Sequence, residues 1–413
     1  MSTSVDAEIR KHRSSDVTLK LRRADGSPLA NETLTIEQRN HAFLFGGNGH
    51  GAIALANDEL EDAARERAQD LSAKMIDVFN YITLPFYWGR FEPTRGKPDT
   101  RRLLNAARWF VERGCKVKGH PLCWHTVCAD WLLDLDDDQI IRAQLDRIRR
   151  DVTDFAGVID AWDVINEVVI MPTFDKYDNG VTRMCRELGR IGMIRETFAA
   201  AREANPRATL LLNDFDMSPA YERLIEDVLE AGIRIDALGL QSHMHQGYWG
   251  VEKTLNVLER FSRYRLPIHF TETNIISGDL MPAEIVDLND FKVEQWPSTS
   301  GGEARQAEEV ILHYKTLLAH PAVKAITWWD FIDGGWLKAP AGLVRADRSL
   351  KPAYTALRRL IKGEWWLPPT QIRTDVAGVT RFTGFHGDYR AQHADRAVDF
   401  AVSEASAAFD LSI

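Results

Sequence analysis

Trp162-Asp163-Val164-Ile165-Asn166-Glu167 is a short run, apolar but for Asp163, that ends on two polar residues. A strand buried on both faces reads this way, since both faces take mainly apolar side chains until the chain leaves the sheet. Seven more runs share the form, at 43–45, 81–84, 117–120, 209–213, 237–241, 268–271 and 325–329. Amphipathic stretches separate them, at 58–78, 103–113, 137–155, 186–204, 221–231, 255–263 and 304–318, and 352–361 closes the series. Eight strands alternating with helices predict an α/β fold of the (β/α)8 (TIM) barrel type, with its active face at the strand C-termini. Polar and aromatic residues do gather at those ends, among them His120, Asn213, Asp214, Gln241 and His243. A doubly wound open sheet would collect them at one switch point.

Outside this span the pattern changes. Residues 17–22 and 32–37 alternate apolar and polar about the turn Asp25-Gly26-Ser27-Pro28, which predicts a small antiparallel β unit over 1–42. The barrel is expected over 43–365. A short β appendage is expected over 366–413, where 373–385 alternates into a glycine-rich turn.

Bulk properties narrow the function. A chain of 413 residues with net charge −9 and no basic run is not built to bind nucleic acid. No stretch approaches the ~18 consecutive apolar residues of a membrane span. Residues 1–15 are polar and lack the apolar segment of a secretory signal, so a cytoplasmic location is expected. The four cysteines show no paired metal spacing and read as free thiols.

The chemistry rests on Glu167 and on Glu272, in His269-Phe270-Thr271-Glu272-Thr273-Asn274. Two carboxylates from separate strands, facing one bound sugar, suit cleavage of a glycosidic bond. Trp162, Val164 and Ile165 give Glu167 the apolar approach that raises a general acid's pKa, and Asn166 can donate to a sugar hydroxyl. Gln241 and His243 are placed to hold Glu272 ionised. Indole rings stack on the flat C–H faces of sugars. Of the twelve tryptophans, Trp88, Trp124, Trp329 and Trp336 follow predicted strand ends, while Trp109 and Trp162 read as core.

Together these segments resemble glycoside hydrolase family 10, the retaining family dominated by endo-1,4-β-xylanases. The matching stretches are Gly119-His120-Pro121-Leu122-Cys123-Trp124-His125, Trp162 to Glu167, Leu212-Asn213-Asp214-Phe215, Gly239-Leu240-Gln241-Ser242-His243, Thr271-Glu272, Thr327-Trp328-Trp329 with Asp333 and Trp336, and Lys351-Pro352-Ala353-Tyr354. The resemblance implies Glu167 as acid/base and Glu272 as nucleophile. It places Asn166 and His125 on the sugar at the cleavage point, Gln241 and His243 beside the nucleophile, and Trp329 and Trp336 along the glycone. It implies a xylan or xylo-oligosaccharide partner, retention of configuration, and no cofactor or metal.

Three departures stand out. After the second strand the family carries a Glu-Asn pair and a lysine that grip the sugar; here Thr83-Leu84-Pro85-Phe86-Tyr87-Trp88 puts Tyr87 where the lysine belongs. Asp330 follows Trp329 where glycine is common. A long loop, 275–302, is expected over the active face on the glycone side. These features suggest a short-substrate or non-xylan β-glycosidase as the alternative. His243-Met244-His245, with His120, His125 and Glu272, also raises a metal-dependent hydrolase, and a non-catalytic sugar binder is the third possibility.

Overall fold

The computed structural model describes residues 2–413. It opens with helix α1 (Ser2–Arg13) and strands β1 (Ser14–Arg22) and β2 (Thr33–His41). Eight parallel strands then close a barrel: β3 (Leu44–Asn48), β4 (Tyr81–Pro85), β5 (Lys116–His120), β6 (Ala161–Asn166), β7 (Thr209–Asp214), β8 (Ala237–Met244), β9 (Ile268–Ile275) and β10 (Val323–Trp328). Each strand pairs with the next, and β10 returns to β3. The main helices around them are α2 (Asp62–Val78), α3 (Thr100–Val111), α4 (Asp137–Asp154), α5 (Gly180–Ala204), α6 (Pro219–Glu230), α7 (Gly250–Ser262), α8 (Ser300–Ala319) and α9 (Pro352–Arg359). Among the described residues no helix is long and apolar enough to cross a membrane.

The elements follow from local chemistry. Leu210, Leu211 and Leu212 of β7 are fully buried, as a strand covered on both faces requires. In α3 the buried residues Leu103, Ala106, Ala107 and Phe110 fall three and four apart, so one stripe faces the barrel. Helix α4 starts at a reciprocal cap, Asp136 accepting from the Gln139 amide while the Gln139 side chain accepts from Asp136. Gly119 is required by packing. A Cβ there would stand 2.1 Å from the Trp162 ring, which is wholly buried beneath the active face.

The terminal segments differ from expectation. β1 and β2 do not pair with each other. β1 lies between β12 (Val379–Phe385) and β15 (Ala408–Ser412), whereas β2 lies between β11 (Thr370–Arg373) and β13 (Gly387–His393), with β14 (Arg396–Val402) outside. Val17, Leu19 and Leu21 of β1 share one buried cluster with Leu34 and Ile36 of β2 and with Tyr389 and Phe400. The two terminal stretches therefore build one two-sheet sandwich, with β1 and β2 facing each other across its core. α1 lies on the barrel: Ile9 is buried, Lys315 pairs with Asp6, and Arg13 donates to the Leu318 and Val323 carbonyls at 2.9 and 2.8 Å around the C-terminus of α8. A cation is favoured there by the carbonyls the helix leaves unpaired.

Candidate active site

Glu167 sits just past β6 with φ +59°, a left-handed conformation that non-glycine residues adopt at a cost on the order of 1–3 kcal/mol. Two bonds from β7 hold it there. The Glu167 amide donates to the Asn213 carbonyl at 2.9 Å, and the Val169 amide donates to Asp214 Oδ2 at 3.0 Å. The turned backbone brings the carboxyl over the barrel mouth, where Trp124 Nε1 donates to it at 2.8 Å and Gln241 Nε2 at 3.2 Å.

Glu272 lies within β9, which runs four residues beyond the predicted strand end, and its residue exposure is only 4%. Asn213 Nδ2 donates to its Oε1 at 3.0 Å and His243 Nε2 to its Oε2 at 3.1 Å, while His120 Nε2 stands 3.8 Å from Oε1. Asn213 also donates to Asn166 Oδ1 at 2.6 Å and accepts from Thr271 Oγ1 at 2.6 Å. This amide fits only because residue 239 is glycine, where a Cβ would stand 2.3 Å from Asn213 Oδ1. Asn166 Oδ1 also accepts from Gln241, so its Nδ2 is the half of the amide left for a ligand.

The surroundings drive the two carboxyls apart in pKa. Burial, reinforced by the charge of Glu272, raises Glu167 to about 7. Burial also pushes Glu272 upward, but His120, His243 and Lys118 outweigh it and hold the carboxyl below its usual value. His243 Nδ1 faces Asn274 Oδ1 at 2.6 Å, and Asn274 Nδ2 is in turn committed to Asp330 Oδ2 at 3.1 Å. Both acceptors around His243 lack protons to give, so the ring carries two. Burial opposes that charge, but the bond to Glu272 more than compensates and raises the pKa of His243. A carboxyl pushed up to about 7 beside a carboxylate held below its usual range is an arrangement that can serve as general acid and nucleophile.

The chain matches the family model for glycosyl hydrolase family 10 over residues 48–360. It belongs to that family. Endo-1,4-beta-xylanase B of Thermotoga neapolitana is 25% identical over 341 residues, spanning 78% of this chain and 88% of that protein. The endo-1,4-beta-xylanase/feruloyl esterase of Xylanibacter ruminicola is 27% identical over 287 residues, 63% of this chain but 39% of that longer protein. Native xylanase 10B from Thermotoga maritima shares the fold with a TM-score of 0.62 at 23% identity, covering 78% of this chain and 96% of that one. The chain is thus a family 10 glycoside hydrolase acting on O-glycosyl bonds.

Within this family 10 site, several expected residues take different positions. Gln241 serves Glu167 and Asn166 rather than Glu272, whose donors are Asn213 and His243. His125, expected on the sugar, is buried in the loop with its ring centroid 4.4 Å from that of Phe174. His120 is the histidine at the carboxylate: it ends β5, and Asp163 Oδ2 holds its Nδ1 at 2.7 Å while its Nε2 stands near Glu272. Trp88 is not at the mouth. It begins a short helical turn and is buried, donating to Glu92 at 3.1 Å beneath the Arg147 guanidinium and edge-on to Trp131.

Tyr87, one residue earlier, does face the site, with ring centroids 5.8 Å from His120 and 5.6 Å from Trp124. Trp329 lies 5.3 Å from His120, and Trp336 lies 4.7 Å from His243. His243, paired with His245 as a possible metal ligand, has both ring nitrogens engaged by Glu272 and Asn274. Sequence reasoning missed the roles of Asn213, Asp163, Lys118 and Asn274, which are ordinary polar residues until their partners are known.

The pKa order sets a pH profile. With Glu167 as the acid and Glu272 as the nucleophile, kcat/KM should decline as pH rises through about 7, with the acid limb below the usual carboxylate range. Glu167→Gln should abolish the alkaline limb when assayed on a dinitrophenyl glycoside, whose leaving group needs no proton. An unchanged alkaline limb in that variant would assign it to another group.

Proposed function

We propose that the chain is a retaining hydrolase of β-1,4-linked, xylose-containing chains. The observation that carries this reading is that Glu167 and Glu272 meet at one barrel mouth, joined through Gln241, Asn166 and Asn213, with Glu167 pushed up to about 7 and Glu272 held below its usual value. Glu272 attacks the anomeric carbon as Glu167 passes its proton to the departing oxygen, which leaves a covalent glycosyl-enzyme. Glu167, now a carboxylate, takes a proton from water; that water attacks the same carbon and releases Glu272. Two inversions restore the starting configuration. His243, doubly protonated beside Glu272, steadies the carboxylate whenever it is free.

The xylose assignment is supported by the relatives, several of which are endo-1,4-beta-xylanases. Tyr87 favours a second reading. It stands among His50, His120 and Trp124 and offers a flat ring and one hydroxyl where the family offers charged and amide groups. A sugar bound there has fewer polar contacts to satisfy, which suits a different or shorter glycoside. Parallel assays on aryl β-xyloside, β-glucoside and β-arabinoside, with NMR of the first-formed anomer, test both readings. Turnover of the xyloside above the others with retention is expected. An α-anomeric first product would overturn the mechanism, and preference for another glycone would overturn the xylose assignment alone.

A further inference from the structure

The long connection after β9 crosses the barrel mouth. Its apolar residues Ile276, Met281 and Trp296 are buried against Ala339 and Ala341 of the connection after β10. The connections after β7 and β8, residues 215–218 and 245–249, are short. Gln246 in the second of them donates to the Pro282 and Ile285 carbonyls, each at 2.8 Å, and the Met281 amide donates to the His245 carbonyl. Further along, Asn289 Oδ1 accepts from Trp336 Nε1 at 3.2 Å, and Trp336 rests on His243 beside the nucleophile. The far end of the segment meets the loop that follows Glu167. Lys176 Nζ lies 2.6 Å from Asp287 Oδ2 and 2.7 Å from Asp290 Oδ1. Lys176 belongs to the loop of β6 and the aspartates to that of β9, so the tie passes over both intervening strands.

We infer that Lys176, Asp287 and Asp290 form a clasp that closes the cleft above β7 and β8 and restricts the enzyme to short chains or chain ends. This rests on the reading of Glu167 and Glu272 as the cleaving pair, but not on the identity of the sugar. A polymer lying across those carboxylates has to continue in both directions, and the strap blocks one of them. The apolar anchors hold the strap; Ile285, Leu288 and Phe291, beside the aspartates, pack on the same cluster, and the ion pairs set how tightly this edge meets the loop after β6. Such exposed pairs are individually weak and shift an equilibrium by at most about fivefold each.

The test compares viscosity loss with reducing ends released, using a soluble polymer of whichever glycone the aryl glycoside panel identifies. The native enzyme should release reducing ends with little loss of viscosity, because it cuts from an end. Lys176→Glu places like charges together and should raise the viscosity lost per bond cut by about fivefold or more. Aryl glycoside turnover should stay within about twofold, which shows that the site is intact. Adding Asp287→Lys and Asp290→Lys to that variant recreates opposite charges and should return the ratio toward native. Native enzyme that thins the polymer like a random internal cutter, or a ratio unmoved by Lys176→Glu, overturns the clasp. A different preferred sugar overturns only the xylose assignment.

Discussion

Glu272→Gln should lower kcat on an aryl β-glycoside by about 10⁴- to 10⁶-fold, a barrier increase of ~5–8 kcal/mol, with little change in thermal midpoint. The amide has no lone pair suited to form the glycosyl ester, so the covalent route is lost outright. The fold has a way to accept it. Asn213 donates to Oε1, and the glutamine oxygen can take that place. The new NH₂ then faces His243, which has lost the carboxylate that held its second proton. The ring can release the Nε2 proton, accept from the amide, and keep its bond to Asn274. The variant should therefore show a lowered His243 pKa by NMR alongside its loss of turnover. Retention of more than about 1% of native kcat, with deamidation excluded by mass spectrometry, would remove Glu272 from the nucleophile's role.

The barrel was legible because its signal is local. A strand such as Thr209–Asp214, covered on both faces, announces itself as an apolar run with a polar end whatever it pairs with. Glu167 and Glu272 inherit that legibility from their strands. Partnership across the chain was not legible in the same way. The alternation of β1 predicts which face is buried, but its antiparallel partner is β12, with Val17 opposite Phe382. Nothing near Val17 points to a residue so far along the chain. α1 is polar overall and is tied down chiefly by Val5, Ile9 and Arg13, too few apolar positions to read as a packed helix. In the loops, residue type stopped being informative. Tyr87 and Trp88 are adjacent aromatics, yet the turn beginning at Trp88 sends one to the mouth and the other into the core. His120 and His125 divide likewise, according to which of them ends a strand.

Lys118→Met should cost about 3–5 kcal/mol of folding stability at neutral pH, a large part of the roughly 5–15 kcal/mol that holds a domain folded. Lys118 and Asp163 are buried inside the barrel, with Nζ 2.6 Å from Oδ2, and the same oxygen receives His120 Nδ1 at 2.7 Å. Burial pushes the Asp163 carboxyl upward, but Lys118 and His120 together bring it below its ordinary value. A group depressed in this way stabilises the fold above its unfolded pKa, and that contribution fades as pH falls through the folded value. Methionine fills the lysine's volume but leaves a buried carboxylate with one partner. The deficit should be largest at neutral pH and shrink in acid, where Asp163 takes up a proton in both forms. Adding Asp163→Asn removes the stranded charge and should recover part of the loss, but it leaves His120 without the anion that aims it at Glu272. The double variant should therefore regain stability more fully than activity. Urea unfolding of both variants at neutral and acidic pH, beside kcat/KM, reads these effects. A loss below about 1 kcal/mol for Lys118→Met at neutral pH would show that the buried pair is not what keeps Asp163 charged beneath the active site.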